Sequence, residues 1–312
     1  MNPSFSVVGI GAANVDQLWQ TKESLRYRDS NPGYLHTSVG GVTRNITENL
    51  SRLGNSAAFL TAVGSDANAQ KIREDSTAAG INMDYVCIKP DYPSSTYVCL
   101  LDMDGDMLLA LSDMQVLQHF TAEDVEKNAE LILQAQVIVC DGCLPAEALD
   151  SLLALTENNV PVFADPVSVA YSKNIRPFVS RLYGIKPNIY ELSVLSGKKV
   201  ESRSDIEKAS ASLLDAGLKE IVVSLGKEGC YYANRQGFRS FSKLPEISNM
   251  VNASGAGDAF LAGFVHGYLH NLTETERIRF ALACGAVTVQ HEQTVYPQMN
   301  MQLIENYLKS ID

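Results

Sequence analysis

The chain has 312 residues, 46% hydrophobic and 20% charged, with a net charge of −11 at pH 7. That length supports one large domain or two small ones, with a sizeable buried core. The acidic balance argues against nucleic acid or a membrane surface as partner, because both need a basic footprint, but a small anionic substrate could still be held by a few local donors.

The opening MNPSFSVVGIGAANVD has no basic leader, and no run reaches the ~20 apolar residues of a membrane span, so the expected compartment is the cytoplasm. SVVGIG reads as a buried strand. Gly9-Ile-Gly11-Ala-Ala-Asn14 approaches the dinucleotide fingerprint, but Asn14 stands where the third glycine belongs and no helix follows, which rejects a nicotinamide site. Asn14 and Asp16 then stand at the end of the first strand, on the edge where open α/β sheets bind ligands. Two apart in an extended segment, they can point the same way and hold a diol, or they can simply shape the turn.

Residues 17–38 lack a helical period and carry the turn Asn31-Pro32-Gly33. Gly40 and Gly41 open a helix over TRNITENLSRLG. Paired glycines admit a ligand close to the backbone, and Asn45 in the first turn can bond a hydroxyl. SAAFLTAVG predicts one buried strand and NAQKIREDSTAAG a helix. Residues 94–113 alternate around Asp104-Gly105, the best hairpin signal in the chain. Segments 17–38 and 94–113 are expected to form a small sheet standing off the main one, able to act as a lid, with an ordinary edge hairpin as the alternative.

AQVIVCDG, VPVFADP and EIVVSLG read as further buried strands, with a helix over AEALDSLLALTENN. The alternation predicts an α/β fold, a mostly parallel sheet with helices on both faces. Cys140 and Cys143 form a lone C-x-x-C, readable as a redox pair or as a buried strand-end thiol plus a loop thiol. In LYGIKPNIYELSVLSG, Asn188 and Glu191 have the spacing of a helix cap, and that spacing also suits an amide and a carboxylate near a metal-bound phosphate. Ser224, Gly226 and Gly229 follow a strand and could cradle phosphates through backbone amides, although no Walker loop occurs.

VNASGAGDAF begins a helix near Gly257, since Phe260, Leu261, Phe264, Val265, Tyr268 and Leu269 have helical spacing. The amides of Gly255, Ala256 and Gly257 form an anion site at its positive end. Asp258 is then either a helix-dipole partner or a reactive carboxylate. His266 and His270, one turn apart, are expected to be a surface pair.

The combination and order of NVD (14–16), GGVTRN (40–45), ADP (164–166), KPNIYE (186–191), SLGKEG (224–229) and NASGAGD (252–258) resembles the ribokinase-like (PfkB) family of sugar and nucleoside kinases over essentially the whole chain. The resemblance implies a three-layer α/β/α fold forming a single domain, with a β-sheet lid that closes on the sugar and through which a homodimer could form. It implies phosphorylation of a hydroxymethyl group by ATP. Asp258 would be the general base, with the amides of Gly255, Ala256 and Gly257 stabilising the transferred charge. Asn188 and Glu191 would support magnesium and phosphate, while Asn188, Ser224, Gly226 and Gly229 would hold ATP. Asn14, Asp16, Gly40, Gly41 and Asn45 would hold the sugar.

Asn252 and Ser254 depart from the family's usual Asp and Thr. In relatives that Asp helps bind an activating monovalent cation, so potassium dependence is in question. DSNPG at 29–33, LLDMDG and LSDM resemble members that act on pseudouridine, which implies its 5′-hydroxyl as acceptor, with Ser30, Asn31 and Thr96 reading the base. Another ribonucleoside, ribose or a fructose-type sugar is the alternative. A non-catalytic sugar-binding regulator is a further reading, against which the intact Asp258 argues.

Overall fold

The computed structural model describes residues 5–244 and 249–311. The chain opens with β1 (Phe5–Ile10), β2 (Asn14–Thr21), β3 (Gly33–Gly40), α1 (Val42–Arg52), β4 (Ala57–Leu60), β5 (Ala62–Val63) and α2 (Ala67–Ala78). Next come β6 (Ile81–Asn82), β7 (Cys87–Ile88), β8 (Thr96–Leu101), β9 (Met107–Asp113), α3 (Ala122–Lys127), α4 (Ala129–Leu133), β10 (Ala135–Asp141) and α5 (Ala146–Thr156). The second half holds β11 (Val162–Asp165), α6 (Val169–Ile175), β12 (Gly184–Ile185), α7 (Ile189–Ser196), α8 (Arg203–Ala216), β13 (Glu220–Ser224), β14 (Cys230–Asn234) and β15 (Arg239–Ser242). Three helices close the chain, α9 (Ala256–Leu269), α10 (Glu274–Thr288) and α11 (Met301–Ser310).

The main sheet has nine strands in the order β15-β14-β13-β12-β11-β10-β1-β4-β6. Neighbours from β6 to β13 run parallel, and β14 and β15 are antiparallel at one edge. Helices cover both faces, so the strands need no polar alternation. Val8, Ile10, Ile138, Ile221 and Val223 feed one core, while the intervening Val7, Val137, Val139 and Val222 feed the other. The second core is built around α9, which is buried from Asp258 to Gly267 and packs against α1 and α10.

A second sheet has the order β3-β2-β8-β9. β2 pairs antiparallel with β3, from Asn14 opposite Gly40 to Thr21 opposite Gly33, and parallel with β8. The turn between β8 and β9 is held by Asp102, which accepts the Asp104 and Asp106 amides at 2.9 and 2.8 Å.

Three sequence expectations change. SAAFLTAVG is not one strand: β4 belongs to the main sheet and β5 pairs only with β7, because the chain turns off the sheet at Thr61. Asn14 and Asp16 are the first residues of β2, not the end of β1, since Gly11 to Ala13 carry the chain from one sheet to the other. His266 is not on the surface. It is 3% exposed, stacked against Phe280, and its Nδ1 lies 3.0 Å from the Asn55 amide, because α9 is sheathed on the side where the sequence suggests a polar face. Among the described residues no helix is long and apolar enough to cross a membrane.

Candidate active site

Several strands of the main sheet end, on the same edge, in a charged or polar residue. β10 ends in Asp141, β11 in Asp165 and β13 in Ser224, and Lys186 follows β12 directly. The N-termini of α1 and α9 join them. Gly41, at φ 105°, turns the chain into α1, and a Cβ there would lie 2.3 Å from the Ala12 carbonyl oxygen. Gly255, at φ 75°, caps α9 with the Thr294 carbonyl packed against it. Both positions need the conformational freedom and small size of glycine.

Asp258 is buried in the first turn of α9. Its Oδ2 accepts a hydrogen bond from Asn45 Nδ2 at 2.9 Å, which links the starts of α9 and α1. Burial, and after it the Asp165 charge, push its carboxyl up to about 7, against the Asn45 bond and the Lys186 ammonium, which pull it down. A carboxylate held there is a competent proton acceptor near neutral pH, which a simple helix-dipole partner need not be.

Lys186 is buried with its Nζ 3.0 Å from Asp165 Oδ2. Burial lowers its pKa, but Asp165, Glu191 and Asp258 together raise it by more, so the ammonium stays charged. A Cβ placed on Gly257 would lie 3.1 Å from Nζ, so the charge stands at the mouth of α9. Asp165 Oδ1 also accepts the Val167 amide at 2.7 Å. Asp141, fully buried and raised by that burial, accepts the Ala12 and Cys143 amides at 2.9 Å each and the Thr43 hydroxyl at 2.6 Å. It thereby fastens β1, β10 and α1 together.

The sugar candidates lie at the junction of the two sheets. Asn14 Nδ2 donates to Asp16 Oδ1 at 2.6 Å, and Asp16 sits against Gly40, where a Cβ would meet its carboxylate at 2.3 Å. Burial raises the Asp16 pKa, and the Asn14 bond opposes it. The base-reading candidates are placed differently. Asn31 is a turn former: its Oδ1 accepts the Arg26 amide and its Nδ2 donates to the Arg26 and Asp29 carbonyls. Ser30 lies in the same exposed turn, its backbone bonded to Asp29. Thr96 Oγ1 accepts from Asn68 Nδ2 at 3.0 Å and donates to the Ser94 carbonyl. None of these bonds reaches Asp258 or Asp16.

Asn188 and Glu191 form a capping box on α7. Asn188 Oδ1 accepts the Tyr190 and Glu191 amides, and Glu191 Oε2 accepts the Asn188 amide at 2.7 Å. Burial raises the Glu191 carboxyl. Asn188 also bridges Ser224, bringing the α7 start beside the turn of Gly226 (φ 58°) and Gly229 (φ 86°). Cys140 and Cys143 are buried, and burial, then Asp141, push both thiols up, the opposite of a reactive redox pair.

Sequence reasoning quoted ADP and KPNIYE as motifs but gave Asp165 and Lys186 no role. The signal was present: VFAD and YGIK are apolar runs that end in a charge, which is what a strand reaching the ligand-binding edge of a parallel sheet looks like.

A mostly parallel α/β sheet, a helix N-terminus with a buried acid and a small second sheet over the edge define a ribokinase-like architecture. The chain belongs to the pfkB family of carbohydrate kinases, whose family model matches residues 4–300. Pseudouridine kinase of Escherichia coli (strain K12) is 38% identical over 304 residues, 96% of each chain. An uncharacterized sugar kinase of the same bacterium is 30% identical over 281 residues, 90% of this chain and 77% of that one. The solved structure of Arabidopsis thaliana ribokinase complexed with ribose and ATP superposes with a TM-score of 0.90 at 22% identity, covering 99% of both chains. The protein is a phosphotransferase with an alcohol group as acceptor.

Proposed function

We propose that the protein transfers the γ-phosphoryl group of ATP to the 5′-hydroxyl of pseudouridine, giving pseudouridine 5′-phosphate and ADP. The observation that carries the choice of acceptor is the 38% identity to a pseudouridine kinase over 96% of both chains. The chemistry rests on Asp258. Its carboxylate takes the proton of the 5′-hydroxyl as that oxygen bonds to the γ-phosphorus and the bond to the bridging oxygen of ADP breaks. The amides of Gly255, Ala256 and Gly257 and the Lys186 ammonium stabilise the charge on the transferred group. Asp165 keeps Lys186 charged and in place, and Asn45 keeps Asp258 oriented.

Asn14, Asp16, the Gly40–Gly41 backbone and Asn45 hold the ribose hydroxyls. The backbone of Ser224, Gly226 and Gly229, with Asn188, holds the nucleotide. A magnesium ion carried on the phosphates would shield their charge. Among the described residues no three His, Cys, Asp or Glu side chains are grouped to hold a metal alone, and Glu191 keeps acceptor capacity beside its cap, which fits an ion that retains waters and meets few protein groups.

The small sheet acts as the lid, and a second copy of the chain is the partner its outer face suits. Trp19, Leu35 and Leu109 lie in one cross-strand row with Leu100, on the face opposite Asp16, and are 41%, 47% and 56% exposed.

The test is kcat/KM for pseudouridine against uridine, adenosine, ribose and fructose. Pseudouracil carries one ring N–H more than the base of uridine, and a matched buried acceptor can discriminate by up to ~10⁴. Equal values for pseudouridine and uridine, or a preference for a free sugar, would remove the pseudouridine assignment and leave a kinase of another acceptor. Asn31 and Thr96 already have structural partners, so Ser30 is the side chain among the three candidates to vary first.

A further inference from the structure

The strap that leads into α9 is fastened to the segment after α10. The amides of Val251 and Asn252 both donate to the Val289 carbonyl, at 2.8 and 3.2 Å. The Asn252 side chain makes a second fastening: its Nδ2 donates to the Glu292 carbonyl at 2.8 Å, and its Oδ1 accepts the Ser254 amide at 2.9 Å. Gly255, two residues before the Gly257 amide, is seated against the Thr294 carbonyl. The strap therefore sets the position of the anion-binding amides and of Asp258.

The orientation of the Asn252 amide follows from its partners. Flipping it would turn its oxygen toward the Glu292 oxygen and its nitrogen toward the Ser254 N–H, losing both bonds. This donor set does not fit a cation. Toward Glu292 the chain presents an N–H, and the one side-chain oxygen already accepts from Ser254. An aspartate of the same shape would be different: it would bring a charged oxygen to the Glu292 carbonyl oxygen, a repulsion that a cation between the two would relieve.

We propose that the Asn252 amide replaces a bound monovalent cation, bridging the strap to Glu292 from within the chain, so that this kinase needs no potassium. The inference goes beyond the assignment of the acceptor and holds for any alcohol the enzyme phosphorylates.

The experiment compares the wild type and Asn252→Asp in potassium, sodium and tetramethylammonium chloride at equal ionic strength, reading both turnover and Tm. The wild type should show the same turnover and the same Tm in all three salts. Asn252→Asp should turn over about tenfold more slowly in tetramethylammonium, the size expected when a hydrogen bond is lost and its carbonyl left opposed. Potassium should restore its rate and raise its Tm by mass action. A wild type whose rate or Tm rises specifically with potassium overturns the proposal, and so does an Asn252→Asp variant indifferent to the salt. The wild-type arm stands alone should the variant fail to fold. The Tm arm needs no substrate, so a wrong acceptor cannot be mistaken for a wrong cation inference.

Discussion

Replacing Asn45 with leucine should move the acid limb of the reaction's pH dependence to higher pH. Asn45 Nδ2 is 2.9 Å from Asp258 Oδ2 across 213 residues of chain, and both groups are buried. The amide favours the ionised form of a carboxyl whose pKa, with that bond in place, burial still holds up at about 7. A hydrogen bond to a charged acceptor is worth about 1.5–3 kcal/mol, and one pH unit corresponds to about 1.36 kcal/mol. Losing the bond should therefore raise the acid limb of kcat/KM by about one to two pH units, from about 7 to about 8–9.

The sign follows from the role of the base. Only the carboxylate accepts a proton, so activity rises with pH through the Asp258 pKa, and a higher pKa removes activity at neutral pH. At pH 7 the ionised fraction should fall from about one half to between ~1% and ~10%. The assay is kcat/KM between pH 5.5 and 10, a range of about four and a half pH units that brackets both limbs. Asn45 also belongs to the proposed ribose contacts, so a pH-independent loss can accompany the shift. An acid limb that stays where the parent has it, with the same loss at every pH, would refute the reasoning and leave Asn45 as a substrate contact alone.

Asp258→Asn should lower turnover on the order of 10²–10⁴ with little change in substrate Kd. The same variant should be more stable than the parent at pH 8, on the order of 4 kcal/mol. The raised folded pKa favours the native state at low pH, and that benefit is lost as pH rises through about 7. Equal Tm values at pH 8 would show that no such charge is buried. Lys186→Met should destabilise the protein by about 3–5 kcal/mol, because it leaves Asp165 buried without its partner. Adding Asp165→Asn should recover Tm but not turnover, and recovery of both would reduce the pair to a structural role. Amide exchange in 17–38 and 94–113 should slow when the acceptor binds, and identical exchange with and without it would end the lid assignment.

The parallel sheet is legible in the sequence because strands buried on both faces are written as unbroken apolar runs, as in VIVC and IVVS. Short strands are the weak point. β5, of two residues, follows β4 after Thr61 alone and differs from it by a change of partner strand, which local pattern does not encode. His266 is misread for a related reason. Its neighbours in sequence permit a polar face, and it is the packing of α9 against α10, with Asn55 beside it, that covers it. At the site, the turn Asn252–Asp258 and the pair Asn188 and Glu191 are local and could be found. The contact of Asn45 with Asp258, and the seat of Lys186 between Asp165 and Gly257, join segments far apart in sequence and exist only in the fold.

Burial, and after it the neighbouring charges at this edge, hold the acid at its high pKa. Asp141, Asp165 and Asp258 converge there, and Lys186 brings an ammonium among them. Asp141 has its oxygens committed to the Ala12, Thr43 and Cys143 donors, and Asp165 neutralises Lys186. The chain as a whole carries −11 at pH 7. A triphosphate entering this edge would add more negative charge, and Lys186, the ammonium placed at the mouth of α9, is already paired with Asp165. A nucleotide that arrives with its own counter-ion escapes that penalty, and a bare one does not. Burial first, and then the neighbouring Asp165 charge, keep Asp258 close to half protonated near neutral pH, where a general base combines enough of the ionised form with enough basicity to draw a proton from a hydroxyl.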